Sequence, residues 1–317
     1  MANPPPPPPP TQGPGWQGAP PVTKISGAGP RLWAIATSND LYRISERQGS
    51  RGGGFTWDAW NIYRDLSLPP VFEIADAFQW SGYVQSWVVD TRRQLWSLRT
   101  FLDGTTSWKG PNWNNAPRGL EGIATSQQGA GGGAALWAIT EDSSLIYCFE
   151  LNTPDPMWSQ WQTWPATPQN SKLVEITAAR QNGGGVQFWA LDTDQQLWSR
   201  SRASPTGDWS SWSPPNWEGA PSLINIAACE QAGTRGEQLW GITEDYSLVS
   251  NFQVSVGNGW SGWSTGTWLN APPVKEITAC LAPYGCAHLW AVTLEQKLIG
   301  ISQLAPGGGW GSWSPPR

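Results

Sequence analysis

Leu136-Trp-Ala-Ile-Thr-Glu-Asp-Ser-Ser-Leu145 and Leu239-Trp-Gly-Ile-Thr-Glu-Asp-Tyr-Ser-Leu248 are near copies of one another within one chain. Four further stretches share their frame, so that a Trp recurs at Trp33, Trp87, Trp137, Trp189, Trp240 and Trp290, in steps of 54, 50, 52, 51 and 50 residues. A Leu follows each Trp by eight positions, at Leu41, Leu95, Leu145, Leu197, Leu248 and Leu298. A period near fifty with constant internal spacing means one supersecondary unit copied six times.

Working outward from the anchor, each unit reads as four short strands. In the unit over 172–222, Lys172-Leu-Val-Glu-Ile-Thr-Ala-Ala179 alternates as a first strand, and Val186-Gln-Phe-Trp-Ala-Leu191 is a second, entered through Gly183, Gly184 and Gly185. Asp192 to Gln196 forms a polar hairpin into Leu197-Trp-Ser-Arg-Ser201, and a Pro-Thr-Gly-Asp turn leads to Trp209-Ser-Ser-Trp212. First strands recur around Ile25, Ile74, Ile123, Ile176, Ile226 and Ile277. Small residues follow each Ile, as crowding at a common centre requires. The predicted fold is all-β, a six-bladed β-propeller of four-stranded antiparallel blades. Approximate blades are 22–70, 71–118, 119–171, 172–222, 223–273 and 274–317. Trp-x-x-x-Pro connectors run from Trp113, Trp164, Trp217 and Trp268. The sixth unit lacks one, and the missing connector stands at Trp16-Gln-Gly-Ala-Pro20, so residues 12–21 are expected to complete the ring. Residues 1–11, with seven consecutive Pro, are set apart as a polyproline tail.

Composition narrows the function. Trp numbers 25 in 317 residues, whereas charged residues make only 14%, well under the usual quarter. The net charge of -5, with Arg scattered, argues against nucleic acid, which needs a clustered basic footprint. No apolar run approaches a membrane span, and the N-terminus lacks the basic start and apolar core of a signal peptide. A soluble monomer is the expectation, with oligomers and non-classical export left open.

Enzyme chemistry finds little support. The single histidine, His288, directly precedes a Leu-Trp anchor and reads as a structural residue on a strand. No His/Cys cluster has zinc spacing, and the Asp192/Asp194 turn lacks the Gly and distal Glu of a calcium loop. The pairs Glu141/Asp142, Asp192/Asp194 and Glu244/Asp245 recur at hairpins, where Asp is common for backbone reasons. No catalytic residue, metal or cofactor is expected. Cys280 and Cys286 flank a turn and read as buried thiols or a local bridge.

The tryptophans remain to be explained. Trp-x-x-Trp occurs at Trp57/Trp60, Trp158/Trp161, Trp209/Trp212, Trp260/Trp263 and Trp310/Trp313, while blade two keeps Trp108 and places Pro111 second. On a regular strand residues three apart face opposite sides, so each pair is expected to staple two interfaces. The second Trp and the connector Trp lie beside Ser, Asn, Gly and Pro. They are the candidate sugar contacts: Trp161, Trp164, Trp212, Trp217, Glu218, Trp263, Trp268, Asn270, Trp313, Trp16, Gln17, Trp113 and Asn114. An open indole stacks on a sugar ring and polar neighbours fix the hydroxyls. Repetition supplies avidity against glycans or glycoconjugates on a cell surface.

Leu136 to Leu145 and Leu239 to Leu248, with Trp-Ser-x-Trp, resemble the tectonin-type and PLL-like β-propeller lectins over about residues 12–317. The resemblance implies non-catalytic glycan binding in peripheral pockets between blades, often of fucose or O-methylated sugars. Trp209-Ser-Ser-Trp-Ser213 also matches a signature of thrombospondin-type repeats and cytokine receptors, which need cysteines or a sandwich that this chain lacks. The alternative is a protein-interaction propeller, its prior lowered by the absence of the Gly-His and Trp-Asp signature.

Overall fold

In a computed structural model, the structure describes residues 20–29, 31–48, 55–57, 60–63, 68–78, 84–100, 106–127, 133–151, 157–164, 171–181, 184–204, 207–231, 236–255, 259–282 and 285–314. The tail 1–11, the closing segment to residue 19 and its Trp16 and Gln17 lie outside them.

Six antiparallel meanders follow in chain order. Blade one comprises β1 (Val22–Ala28), β2 (Arg31–Ala36), β3 (Leu41–Gln48), β4 (Phe55–Trp57) and β5 (Asn61–Ile62). Blade two holds β6 (Val71–Phe78), β7 (Val84–Asp90), β8 (Leu95–Thr100) and β9 (Thr106–Lys109). Blade three holds β10 (Leu120–Gln127), β11 (Ala134–Thr140), β12 (Leu145–Leu151), β13 (Met157–Trp158) and β14 (Gln162–Trp164). Blade four is β15 (Leu173–Arg180), β16 (Val186–Asp192) and β17 (Leu197–Arg202); blade five is β18 (Leu223–Glu230), β19 (Glu237–Thr243) and β20 (Leu248–Phe252). Blade six is β21 (Val274–Leu281), β22 (Ala287–Thr293) and β23 (Leu298–Ser302).

Each first strand touches the first strand of the next blade, and β21 returns to β1. The chain is a six-bladed β-propeller. Its anchors Trp33, Trp87, Trp137, Trp189, Trp240 and Trp290 are fully buried on the second strands. The Leu eight residues on is buried beside the next interface in every blade. Six apolar clusters fill the six interfaces, including one that joins Val22, Ile25 and Leu32 of blade one to Cys280, Trp290 and Val292 of blade six. That cluster closes the ring by packing. Cys280 and Cys286 are buried thiols, and Cys280 Sγ reaches the Gly29 carbonyl at 3.7 Å across the same seam.

The fourth strand differs most from expectation. In blades one and three it is split, β4 and β5 both pairing β3, and β13 and β14 both pairing β12. In blades four to six it is a hydrogen-bonded strap. Ser210 N and Ser213 N donate to Ser201 O and Ser199 O, and their hydroxyls accept from Ser201 N and Ser199 N in return. Ser261 and Ser264 repeat this on Phe252 and Ser250. Serine side chains stand in for ladder bonds that an irregular backbone leaves unmade.

Candidate functional site

The irregular strap decides where the tryptophans point. Trp158 and Trp161 pack on one interface, that with blade two; Trp209 and Trp212, Trp260 and Trp263, and Trp310 and Trp313 likewise each share the interface with the preceding blade. The expectation that a pair spans two interfaces is thereby corrected. Period-two alternation holds only along a regular strand, and the segment between the two rings is not one; Gly262, for instance, sits at φ 81°.

At each of these interfaces the first Trp meets the anchor and the connector Trp of the blade before it. Trp87, Trp113 and Trp158 stand edge-to-face with centroids 5.8, 5.3 and 5.0 Å apart. Trp189, Trp217 and Trp260 form the same triad, as do Trp240, Trp268 and Trp310. Tyr63 replaces the connector Trp between Trp33 and Trp108. Such pairs add about 0.5–1.5 kcal/mol each beyond area burial.

Connector Trp residues therefore have a packing role, with part of the ring left accessible. Trp113, Trp217 and Trp268 are half-buried, each opening a single 3-10 turn, over Trp113–Asn115, Trp217–Gly219 and Trp268–Asn270. Trp164 differs: it lies on β14 paired with Leu145 and is only 4% exposed. In blades four and five the connector stands five residues after the second Trp of the pair, at Trp217 and Trp268, whereas Trp164 follows Trp161 by only three and is drawn into β14. Trp161, Trp212, Trp263 and Trp313 are half-buried, and Glu218 and Asn270 are exposed. Asn114 is half-buried, its amide donating to Ser159 O at 2.9 Å in blade three. A connector Trp thus shares its interface with the pair of the following blade, and Trp164 and Trp268 reach the second rings, Trp212 and Trp313, with centroids 6.0 and 6.3 Å apart.

A groove of about 510 Å³ opens between the connector of blade two and the outer part of blade three. Trp161 lines it with Arg118, Glu141, Asp142, Gln162 and Thr163. One apolar ring thus faces a cation, two carboxylates, an amide and a hydroxyl. Gly119, at φ 79°, brings the connector beneath Glu141: its carbonyl accepts from Glu141 N at 2.7 Å, and a Cβ there would lie 2.9 Å from the Glu141 carboxyl carbon. Asp142 is held below the usual carboxylate range by the Thr140 hydroxyl and the Ser144 amide, so it presents a charge. Glu141 and Asp142 do stand in a hairpin turn, and the same turn forms one wall of the groove. Arg118 carried no sequence signal, because only the fold brings residue 118 to residue 161.

The channel presents different chemistry. Lys24 Nζ lies 3.6, 3.5 and 3.3 Å from the carboxylates of Glu73, Glu175 and Glu276, drawn from four blades. Asn225 donates to Glu276 at 3.2 Å. Burial opposes the Lys24 charge, but the three carboxylates outweigh it and hold the ammonium well above its ordinary pKa. Burial raises Glu73 to about 7 and Glu276 to about 8, against the pull of Lys24. His288 is buried on β22, 3.4 Å from Ser302 Oγ, and burial pushes it down to about 4, which leaves it neutral. Among the described residues no group of His, Cys, Asp and Glu is arranged to hold a metal.

No protein-family model matches the chain, and no curated protein matches it in sequence. Solved structures do match in fold. The chain is similar to the Aleuria aurantia lectin, a fungal lectin with a six-bladed β-propeller fold and a novel fucose recognition mode, at 12% identity and a TM-score of 0.64, covering 94% of this chain and 98% of that one. AofleA from Arthrobotrys oligospora gives 10% identity and 0.65, over 92% and 85%. A lectin from Burkholderia pseudomallei gives 15% and 0.61, over 94% and 85%. At such identities the likeness is one of fold.

Proposed function

We propose that the chain is a multivalent carbohydrate-binding protein that takes glycans without turnover, in grooves at the outer junctions of its blades. The observation that carries this reading is the groove holding Trp161 opposite Arg118, Glu141, Asp142, Gln162 and Thr163. An indole face suits the apolar side of a pyranose, and flanking charged and amide groups suit its hydroxyls. Recurrence of the Trp pair in the later blades supports several weak sites acting together. Sugar ligands such as fucose and O-methylated sugars, and the tectonin-type character of the repeat, belong to the same proposal. So do the remaining contacts Trp212, Trp217, Glu218, Trp263, Trp268, Asn270, Trp313, Trp113, Asn114, Trp164, Trp16 and Gln17.

Calorimetric titration with methyl fucoside and O-methylated sugars, preceded by a glycan array, tests the reading. Trp161→Ala should remove one class of site while leaving the circular dichroism of the fold in place. Losing a stacked ring costs a few kcal/mol at that site, about a hundredfold in affinity. Avidity for a multivalent glycan should fall only in part, since other grooves remain. A folded protein that is blank across the array would sink the proposal and leave a protein-interaction propeller as the better reading.

A further inference from the structure

The repeat breaks at one buried position. Three residues after the recurrent Leu stand Ile44, Leu98, Cys148 and Ile301, buried at blade interfaces, and the buried Asn251 in blade five; in blade four the same place holds the half-buried Arg200. Its guanidinium lies over Trp164 at 5.2 Å and over Trp212 at 5.5 Å, with Nε donating to Ser210 O at 2.8 Å. Two residues on, Arg202 lies over Trp209 at 5.0 Å. Two cations thus occupy the aromatic wall between blades three and four. Arg200 makes no ion pair among the described residues, and its Nη1 is buried without a hydrogen-bond acceptor.

A guanidinium between two indoles is rigid and partly stripped of water. Burial lowers both arginine pKa values, so each charge is less well solvated than on an open surface. Such a cation gains most from an oxyanion that can take two of its N–H groups at once. Trp212 borders it, with the exposed Ser211 next to it in the chain, and the exposed Gln162 accepts from the Tyr147 hydroxyl, whose ring packs on the same interface, giving the ring face and polar partners that a saccharide uses. We propose that the junction of blades three and four is an acidic-saccharide site, in which Arg200, with Arg202 beside it, binds the carboxylate or sulfate of a charged sugar stacked on Trp212. The inference rests on the carbohydrate-binding reading and adds a charge class at one junction. The groove at blades two and three, with Glu141 and Asp142, remains the place for neutral sugars.

The test titrates methyl β-D-glucuronide, methyl β-D-glucoside and inorganic sulfate into the full chain, read by tryptophan fluorescence and calorimetry. The glucuronide should bind about tenfold or more tightly than the glucoside, the scale of one charge-assisted hydrogen bond. Arg200→Gln should abolish the preference, and Arg200→Lys should keep part of it. Should Arg200→Gln fail to fold, ionic strength decides on wild type, because salt must erode the preference if a half-exposed charge creates it. Equal affinity for the two glycosides, or a preference indifferent to salt, overturns the acidic site while leaving neutral binding elsewhere intact. Sulfate binding as tightly as the glucuronide overturns the saccharide site and reduces the junction to an anion site, while the methyl fucoside titration decides the carbohydrate-binding reading separately.

Discussion

At Asp192 one carboxylate serves three donors. Oδ2 accepts from the Trp198 indole at 2.8 Å, and Oδ1 from the amides of Asp194 and Gln196, both at 2.9 Å. Asp90 repeats the arrangement with Trp96, Arg92 and Gln94. In blades three, five and six the place of the Asp is taken by Thr140, Thr243 and Thr293, and the residue after the recurrent Leu is then Ile146, Val249 or Ile299 instead of Trp. Asp and Trp therefore vary together within one chain because each satisfies the other. Asp192→Leu should cost about 2–4 kcal/mol in urea unfolding, since a buried indole N–H and two amides lose a charged acceptor. Asp192→Thr with Trp198→Val, which copies blade five, should recover much of that loss, and a double-mutant cycle measures the coupling. This covariation was legible in the sequence. The union of Arg118 with Trp161 was not, because it depends on how two blades meet and on no local pattern.

The second-to-third hairpin is the most regular element in the molecule. In all six blades its fourth residue adopts a left-handed conformation: Asn39, Arg93, Ser143, Gln195, Tyr246 and Gln296 have φ between 60° and 65°. Only blade one uses Asn, the residue type that tolerates this region best apart from Gly. Tyr246 is exposed, so its ring contributes little packing. Tyr246→Asn should raise stability by about 0.5–1 kcal/mol, and Tyr246→Val should lower it by about 1–2 kcal/mol, as read from denaturant midpoints at constant slope. Hairpins of this kind are written in the sequence as short polar stretches at a fixed distance from the anchor. The fourth strand was less legible. Its Trp-x-x-Trp spacing looked like part of a regular strand, yet serine hydroxyls and a left-handed Gly262 turn both rings to one side. The three-residue and five-residue connector spacings were visible in the sequence. Their consequence, a buried Trp164 against half-buried Trp217 and Trp268, required knowing which strand pairs with which.

On the scale of the whole molecule, Lys24 ties blade one to blades two, four and six through Glu73, Glu175 and Glu276. One ammonium cannot balance three carboxylates crowded around it, and Glu73 and Glu276 respond by holding their protons to about 7 and about 8. A carboxyl whose pKa is higher in the fold than in the unfolded chain stabilises the fold fully below its unfolded value. That contribution then fades as pH rises through the folded value. Lys24 works the opposite end, since its raised pKa keeps its contribution until pH passes the ordinary lysine range. His288, lowered to about 4 in the fold, works the other way between about pH 5 and about pH 7. Asp76 at about 6 and Glu237 at about 7 add to the carboxyl side. The ring should therefore be more heat-stable at about pH 5 than at about pH 8, and Glu276→Gln should narrow the difference in Tm. An unchanged difference in the variant would place the pH response elsewhere. The aromatic triads carry another whole-molecule consequence. Indoles held rigidly edge-on, such as Trp217 and Trp260 with centroids 4.7 Å apart at 81°, share their electronic excitations when light is absorbed. The two partners sit on adjacent blades, so the coupling exists only while those blades are docked. The ultraviolet circular dichroism of this chain is thus a built-in optical gauge of docking at the four junctions from blade two to blade six that carry an all-Trp triad.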